Sequence, residues 1–281
     1  MLRQRVITAL VLVGLLLGAL TSSSSWPFAV LALILIAAAG WEWGRLNQAS
    51  ATLALLMGAL LAAAGAWALA AGWSERAPAA VWWIVTALWL VCGALALRAG
   101  PTVWPQLPRA ARWGLGWVAL GSAWLALAHS RAIGINFMLS LLCLVWMADV
   151  AAYFGGRAFG RRKLALAISP GKSWEGVWSG MAGVWLLALL WIWLDSRFDF
   201  DSPSLYSSLV LTLGWFGAAL ALPALCGLSV VGDLVESLVK RAAGAKDSSR
   251  LLPGHGGVLD RVDALLPVLP AALALMTLRP A

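Results

Sequence analysis

The sequence predicts an all-α, polytopic integral membrane protein with about nine transmembrane helices and a cytoplasmic N-terminus. Three observations carry this expectation. Of 281 residues, 62% are hydrophobic and only 11% charged, with a mean hydropathy of +0.87, well beyond an ordinary soluble domain. Apolar stretches that reach or approach the ~20 residues needed to cross a ~30 Å hydrocarbon core recur along the chain, and one soluble core does not account for so many. Finally, Lys and Arg collect in a few connections instead of being spread along the spans.

The expected spans are 6–20, 27–41, 51–72, 79–97, 114–129, 135–154, 174–194, 208–231 and 262–278. The first follows a basic start (Arg3, Arg5) and resembles a signal peptide, but no soluble secreted domain follows, so an uncleaved span is expected. Turn-forming segments such as TSSSSWP, GWSERAP and DSRFDFDSPS separate the others. With nine spans, the basic N-terminus and the fourth, sixth and eighth connections share one side, and the acidic seventh (Asp195, Asp199, Asp201) lies opposite. The rule that cytoplasmic loops are basic then places the two richest polar loops, 149–175 and 233–263, at the cytoplasmic face of the inner membrane. The chain reads as one membrane domain. Residues 1–134 supply structural, lipid-facing or dimerisation helices, and 135–281 the catalytic ones.

The net charge of +8 forms no extended basic face, which argues for phosphates or lipid headgroups as partners and against nucleic acid. Cys92, Cys143 and Cys226 lie in apolar stretches without metal-ligand or disulfide spacing and read as packing residues.

In the eighth connection, helical continuation puts Asp233, Ser237 and Lys240 at i, i+4 and i+7 on one stripe, with Glu236 and Arg241 at its flanks. An interfacial ion pair would explain Asp233 and Lys240. However, a charge at the end of a long apolar span costs about 2.5–3.5 kcal/mol on insertion scales, which favours function. Beyond Lys246, the run Gly254-His255-Gly256-Gly257 can bring backbone N–H groups close to a ligand, as phosphate-cradling loops do. Asp260 opens the last apolar helix and is expected to bind a divalent cation. Hard oxygens from a few carboxylates plus substrate phosphates suit Mg²⁺. Asp263, one turn on, is equally explained by the helix dipole.

The sixth connection places Asp149 and Tyr153 at i, i+4, then Arg157 and the basic run Arg161-Arg162-Lys163, whose two arginines are equally explained as topology anchors. In SPGKSWEG, Ser173 can cap the next helix, Glu175 suits its first turn, and Lys172 stands at the positive end, where phosphate binds well. The Gly171-Lys172-Ser173 tail lacks the upstream glycine and strand of a P-loop. His255-Gly256-Gly257 lacks the G-x-S-x-G partner of an esterase, and His129 and His255 alone exclude a multi-histidine metal site. What remains suits phosphoryl or nucleotidyl transfer at a membrane surface.

The residues of 237–263 resemble the C-terminal motif of the phosphatidate cytidylyltransferase (CDP-diacylglycerol synthase) family. All its fixed positions are present: Ser237, Lys240-Arg241, Lys246-Asp247, His255-Gly256-Gly257, Asp260-Arg261 and Asp263. The D-x-x-A-Y-x-x-G-R-x-F-G-R run from Asp149 and ISPGKSWEG from Ile168 are similar to that family too. The resemblance implies that CTP and phosphatidic acid yield CDP-diacylglycerol and pyrophosphate, with Mg²⁺, K⁺ as a possible assistant, and a homodimer. It implies catalytic roles for Asp233, Ser237, Lys240 and Asp260, and metal binding by Asp233, Asp260 and Asp263. Substrate binding is expected from Asp149, Tyr153, Arg157, Ser169 and Lys172, and from Arg241, Lys246, His255, Gly256, Gly257 and Arg261. The alternatives are a CTP- or ATP-dependent lipid kinase, separated by its nucleoside diphosphate product, and an anion transporter, which would show midplane charges and inverted repeats.

Overall fold

Backbone polar groups in hydrocarbon have to be satisfied within the chain, and helices do this locally. The computed structural model, which describes residues 11, 13–22 and 24–278, is accordingly mostly helical. Helix α1 (Trp26–Leu46) has Pro27 in its first turn, and α2 (Ala51–Ala70) starts where Ser50 Oγ accepts Leu53 N at 3.2 Å. After a short turn (Trp73–Arg76), Pro78 precedes α3 (Ala79–Ala99) and Pro108 precedes α4 (Arg109–Ile133). Helix α5 (Ile135–Phe159) is followed by strands β1 (Lys163–Ala165) and β2 (Ser169–Ser173), then α6 (Trp174–Arg197) and α7 (Leu205–Ala242). A second short turn (Leu259–Val262) leads into α8 (Leu265–Met276).

Six of these helices, α1, α2, α3, α5, α6 and α7, are long and apolar enough to cross a membrane. The expected first span lies partly outside the described residues, of which 13–20 are helical. Helix α4 has the length but carries Arg109, Arg112 and Arg131. Helix α8, with 12 residues, is only about 18 Å long, short of the hydrocarbon thickness. The mostly helical expectation holds, with one addition: the sixth connection contains an antiparallel hairpin with Lys163 opposite Ser173 and Ala165 opposite Ser169.

A helix that is apolar all round belongs inside. Every residue from Leu265 to Ala274 of α8 is buried, and α3, α4 and α7 pack around it. Two helical hairpins, α1–α2 and α5–α6, flank that centre. In the second, a Cβ at Gly176 would lie 2.9 Å from Ala152 O and one at Gly180 2.9 Å from Ala148 O. Small residues here let two backbones approach closely.

Indole N–H groups away from water favour a partner, and three of them here join helices. Trp43 Nε1 donates to Arg112 O (2.8 Å), Trp117 Nε1 to Met57 O (3.1 Å) and Trp124 Nε1 to Ala29 O (3.0 Å), stitching α4 to α1 and α2. Large apolar side chains such as Phe216 (79% exposed) and Leu211 (74%) face outward, as lipid-facing positions do.

Candidate active site

Helix α7 is one 38-residue run with a break at Gly214 (φ 69°), and its second part ends in the polar stripe. Ser237 Oγ donates to Asp233 Oδ1 at 3.2 Å. One turn on, Lys240 Nζ lies 2.5 Å from Glu236 Oε2 and 2.7 Å from Asp260 Oδ1, bridging α7 to the following loop. Glu236 is 1% exposed, and Lys240 is its partner among the described residues.

That loop turns on Gly254 (φ 78°) and Gly256 (φ 81°), a backbone region that side chains disfavour. Leu252 N donates to Gly256 O and His255 N to Leu252 O, both at 2.8 Å. Arg261 closes the turn from outside, with Nε and Nη2 at 3.0 and 2.6 Å from His255 O.

Asp260 accepts from Ser248 N and Oγ, each 2.9 Å from Oδ2, and from Gly257 N at 2.8 Å. Burial works to raise its pKa, but the hydrogen bonds from Lys240, Gly257 and Ser248 outweigh it and bring the carboxyl down to about 2. Val258 N (3.0 Å) and Leu259 N (2.7 Å) point at the fully buried carboxylate of Glu42 on α1. The amides of Gly257, Val258 and Leu259 thus hold protein carboxylates, Gly257 that of Asp260 and the other two that of Glu42.

The sixth connection builds the other wall. A cavity of about 430 Å³ is lined by Asp149, Tyr153 and Arg157 from α5, Ser169 and Lys172 from β2, and Asp233 from α7. Lys172 forms an ion pair with Asp233, and Arg157 Nη1 lies 3.5 Å from Tyr153 Oη. Ser173 Oγ caps α6, accepting Gly176 N at 3.2 Å. Glu175 accepts from Arg161 N (3.0 Å) and Arg162 N (3.1 Å), so it fastens the base of the hairpin. Arg241 Nε donates to Ile168 O at 3.3 Å, tying hairpin to α7.

Asp149, Tyr153, Arg157, Ser169, Lys172 and Asp233 thus share one cavity. Ser237 hydrogen-bonds Asp233, and one turn on Lys240 pairs with Asp260 and Glu236. Asp263 stands within electrostatic reach. Burial, and then the Asp233 charge, push its carboxyl up to about 7, against the pull of the Ala264 N–H. Arg241 and Arg261 hold backbone carbonyls, and Lys246 is exposed away from the cavity lining.

Among the described residues, no three His, Cys, Asp or Glu side chains stand close enough to enclose a metal ion alone. Carboxylate oxygens such as those of Asp233, Asp260 and Asp263 are the donor type that Mg²⁺ takes, a few at a time, with water and phosphate completing its shell.

Sequence reasoning overlooked Glu42 and Ser248. Ser248 Oγ lies 3.1 Å from Glu42 Oε2, and Ser249 Oγ 2.5 Å from Oε1. The available signal was that Glu42 is the lone carboxylate in the first 74 residues, directly at the end of an apolar span, where charge is costly.

Residues 3–279 match the Cytidylyltransferase family. A phosphatidate cytidylyltransferase of Pseudomonas aeruginosa is 39% identical, over 98% of this chain and 97% of its own length. One from Brucella suis is 35% identical, over 99% and 92%. A Haemophilus influenzae protein of the same name is 44% identical over 50% of this chain and 46% of its own. With a polar cavity at the junction of α5, α6 and α7 and a match along nearly its whole length, the chain belongs to the cytidylyltransferase family.

Proposed function

We propose that this membrane enzyme transfers the cytidylyl group of CTP to phosphatidic acid, giving CDP-diacylglycerol and pyrophosphate. The observation that carries the reading is Asp233. It stands on α7 in the stripe that holds Ser237 and Lys240, and it lines the cavity where it pairs with Lys172, so one carboxylate joins both polar loops. A phosphate oxygen of the lipid attacks the α-phosphorus of CTP, the new P–O bond forms, and the bond to pyrophosphate breaks.

Such transfer rests on positioning and charge stabilisation more than on covalent chemistry. Lys172 and Arg157 bind phosphate oxygens in the cavity, and Lys172 exchanges its pairing with Asp233 for them. Lys240 stabilises charge beside Asp260. Tyr153, Ser169 and the His255-Gly256-Gly257 turn border the substrates, and Arg241, Arg261 and Lys246 add positive potential around them. Asp233, Asp260 and Asp263 would hold Mg²⁺, which when bound neutralises charge on the transferring phosphates; K⁺ would assist as a second cation. The same reading gives a cytoplasmic N-terminus and active site, the inner membrane and a homodimer, supported by the basic connections and the family resemblance.

Purified protein in lipid nanodiscs, given CTP, phosphatidic acid and Mg²⁺, should release one pyrophosphate per CDP-diacylglycerol. Asp260→Asn should lower that rate at least about 100-fold. Release of a nucleoside diphosphate would replace this reading with a lipid kinase, and full turnover by Asp260→Asn would remove Asp260 from the chemistry.

A further inference from the structure

Glu42 sits on α1, far in sequence from the polar loops, and is fully buried. A buried carboxylate is costly unless it is paired or hydrogen-bonded. Among the described residues no Lys, Arg or His forms an ion pair with it. Its partners are Ser249 Oγ (2.5 Å), Val258 N (3.0 Å) and Leu259 N (2.7 Å), with the one Ser248 hydroxyl (3.1 Å) shared between Glu42 and Asp260, all from one short segment. The buried oxygens of Glu42 therefore keep their hydrogen bonds only while that segment keeps this conformation.

The segment is the one that carries Asp260. Ser248 Oγ lies between the two carboxylates, 2.9 Å from Asp260 Oδ2, and Ser248 N holds the same oxygen. The amides of Val258 and Leu259 lead directly into the turn on which Asp260 stands. Gly257 fits the same account: a Cβ there would lie 2.5 Å from Glu42 Oε1 and collide with Ser248 Oγ. Its lack of a side chain makes room for Glu42.

We infer that Glu42 is a positioning residue for the transfer reaction, acting through Ser248 and the Val258–Leu259 amides to set where Asp260 presents its carboxylate. The role rests on the proposed function for its reaction but has its own readout. Groups that orient a ligand from behind typically contribute 10–100-fold to metal affinity or activity. Contacts in a single chain are non-additive when removed together.

The test uses the full chain in nanodiscs as wild type, Glu42→Gln, Ser248→Ala and the double variant. Pyrophosphate release gives kcat and KM, and Mg²⁺ titrations are followed by rate and by the shift in melting temperature. Glu42→Gln should lower kcat about 10–100-fold, leave KM for CTP within about twofold, and raise the Mg²⁺ needed for half-saturation about tenfold in both titrations. Ser248→Ala should act in the same direction, and the double variant should be at most about twofold worse than the weaker single. Unchanged kcat and unchanged Mg²⁺ titrations in Glu42→Gln would overturn the inference, as would fully multiplicative losses in the double variant. If Glu42→Gln shows no cooperative melting, Ser248→Ala decides, because it keeps the Val258 and Leu259 contacts. Wild-type values there would overturn the inference. Failure of wild type to release pyrophosphate would count against the proposed function instead, and the melting titration with Mg²⁺ would still report on Glu42.

Discussion

Asp260 and Asp263, three residues apart, carry opposite shifts, and their effects on stability have opposite signs. Asp263, pushed up to about 7 by burial and the Asp233 charge, binds its proton more tightly folded than unfolded. Stability of the metal-free protein should therefore fall as pH rises from about 4 to about 7. Asp260, held down to about 2, stabilises the fold above about pH 4, and that contribution is lost as pH falls toward 2. In EDTA, Asp263→Asn should melt higher than wild type at pH 8 and similarly at pH 4. Mg²⁺ should raise the wild-type melting temperature more at pH 8 than at pH 5, since metal ligands bind deprotonated. A melting temperature of Asp263→Asn below wild type at pH 8 would contradict the assignment. Lys172 offers a second check at this scale. Because it lines the cavity and pairs with Asp233, Lys172→Met should raise KM for CTP about tenfold, read from pyrophosphate kinetics.

The hairpin depends on contacts remote in sequence. Its strands are too short to persist alone, and Glu175, Arg241 and the α6 cap hold it against the helices. Glu175→Gln should speed amide hydrogen exchange at Arg161, Arg162 and Trp174 about tenfold without changing exchange in α8. This explains why an irregular loop was expected: Lys163-Leu-Ala shows no strand pattern, and the pairing comes from where α5, α6 and α7 place its ends. The helices, by contrast, were largely legible, because each apolar run covers its own backbone polar groups. Helix α5 runs past its expected end to Arg157 and Phe159, while α7 continues through Lys240 as the i, i+4, i+7 spacing of its polar stripe predicts.

Across the whole molecule, the burial pattern separates two kinds of apolar residue that hydropathy cannot distinguish. Leu269 of α8 is 2% exposed at the centre of the packing, so Leu269→Ala should cost about 2–5 kcal/mol in unfolding experiments. Phe216 faces outward, and Phe216→Ala should change stability by no more than about 0.5 kcal/mol. Equal losses at both positions would mean that α8 is not the core. Its position also accounts for its length: surrounded by α3, α4 and α7, it need not span the hydrocarbon to be sheltered from water.

The sequence alone determined that the chain is a helical membrane protein with its charged and glycine-rich residues gathered in a few polar connections, because apolar run length and the i, i+4, i+7 placement of Asp233, Ser237 and Lys240 are local properties. The tertiary structure alone decided that Lys172 meets Asp233, that Lys240 meets Asp260, and that the glycine loop turns its amides toward Glu42 and Asp260. Those contacts join residues up to 217 positions apart. A buried carboxylate draws its donors from whatever segment the packing brings to it, and no periodicity along the chain records which segment that is.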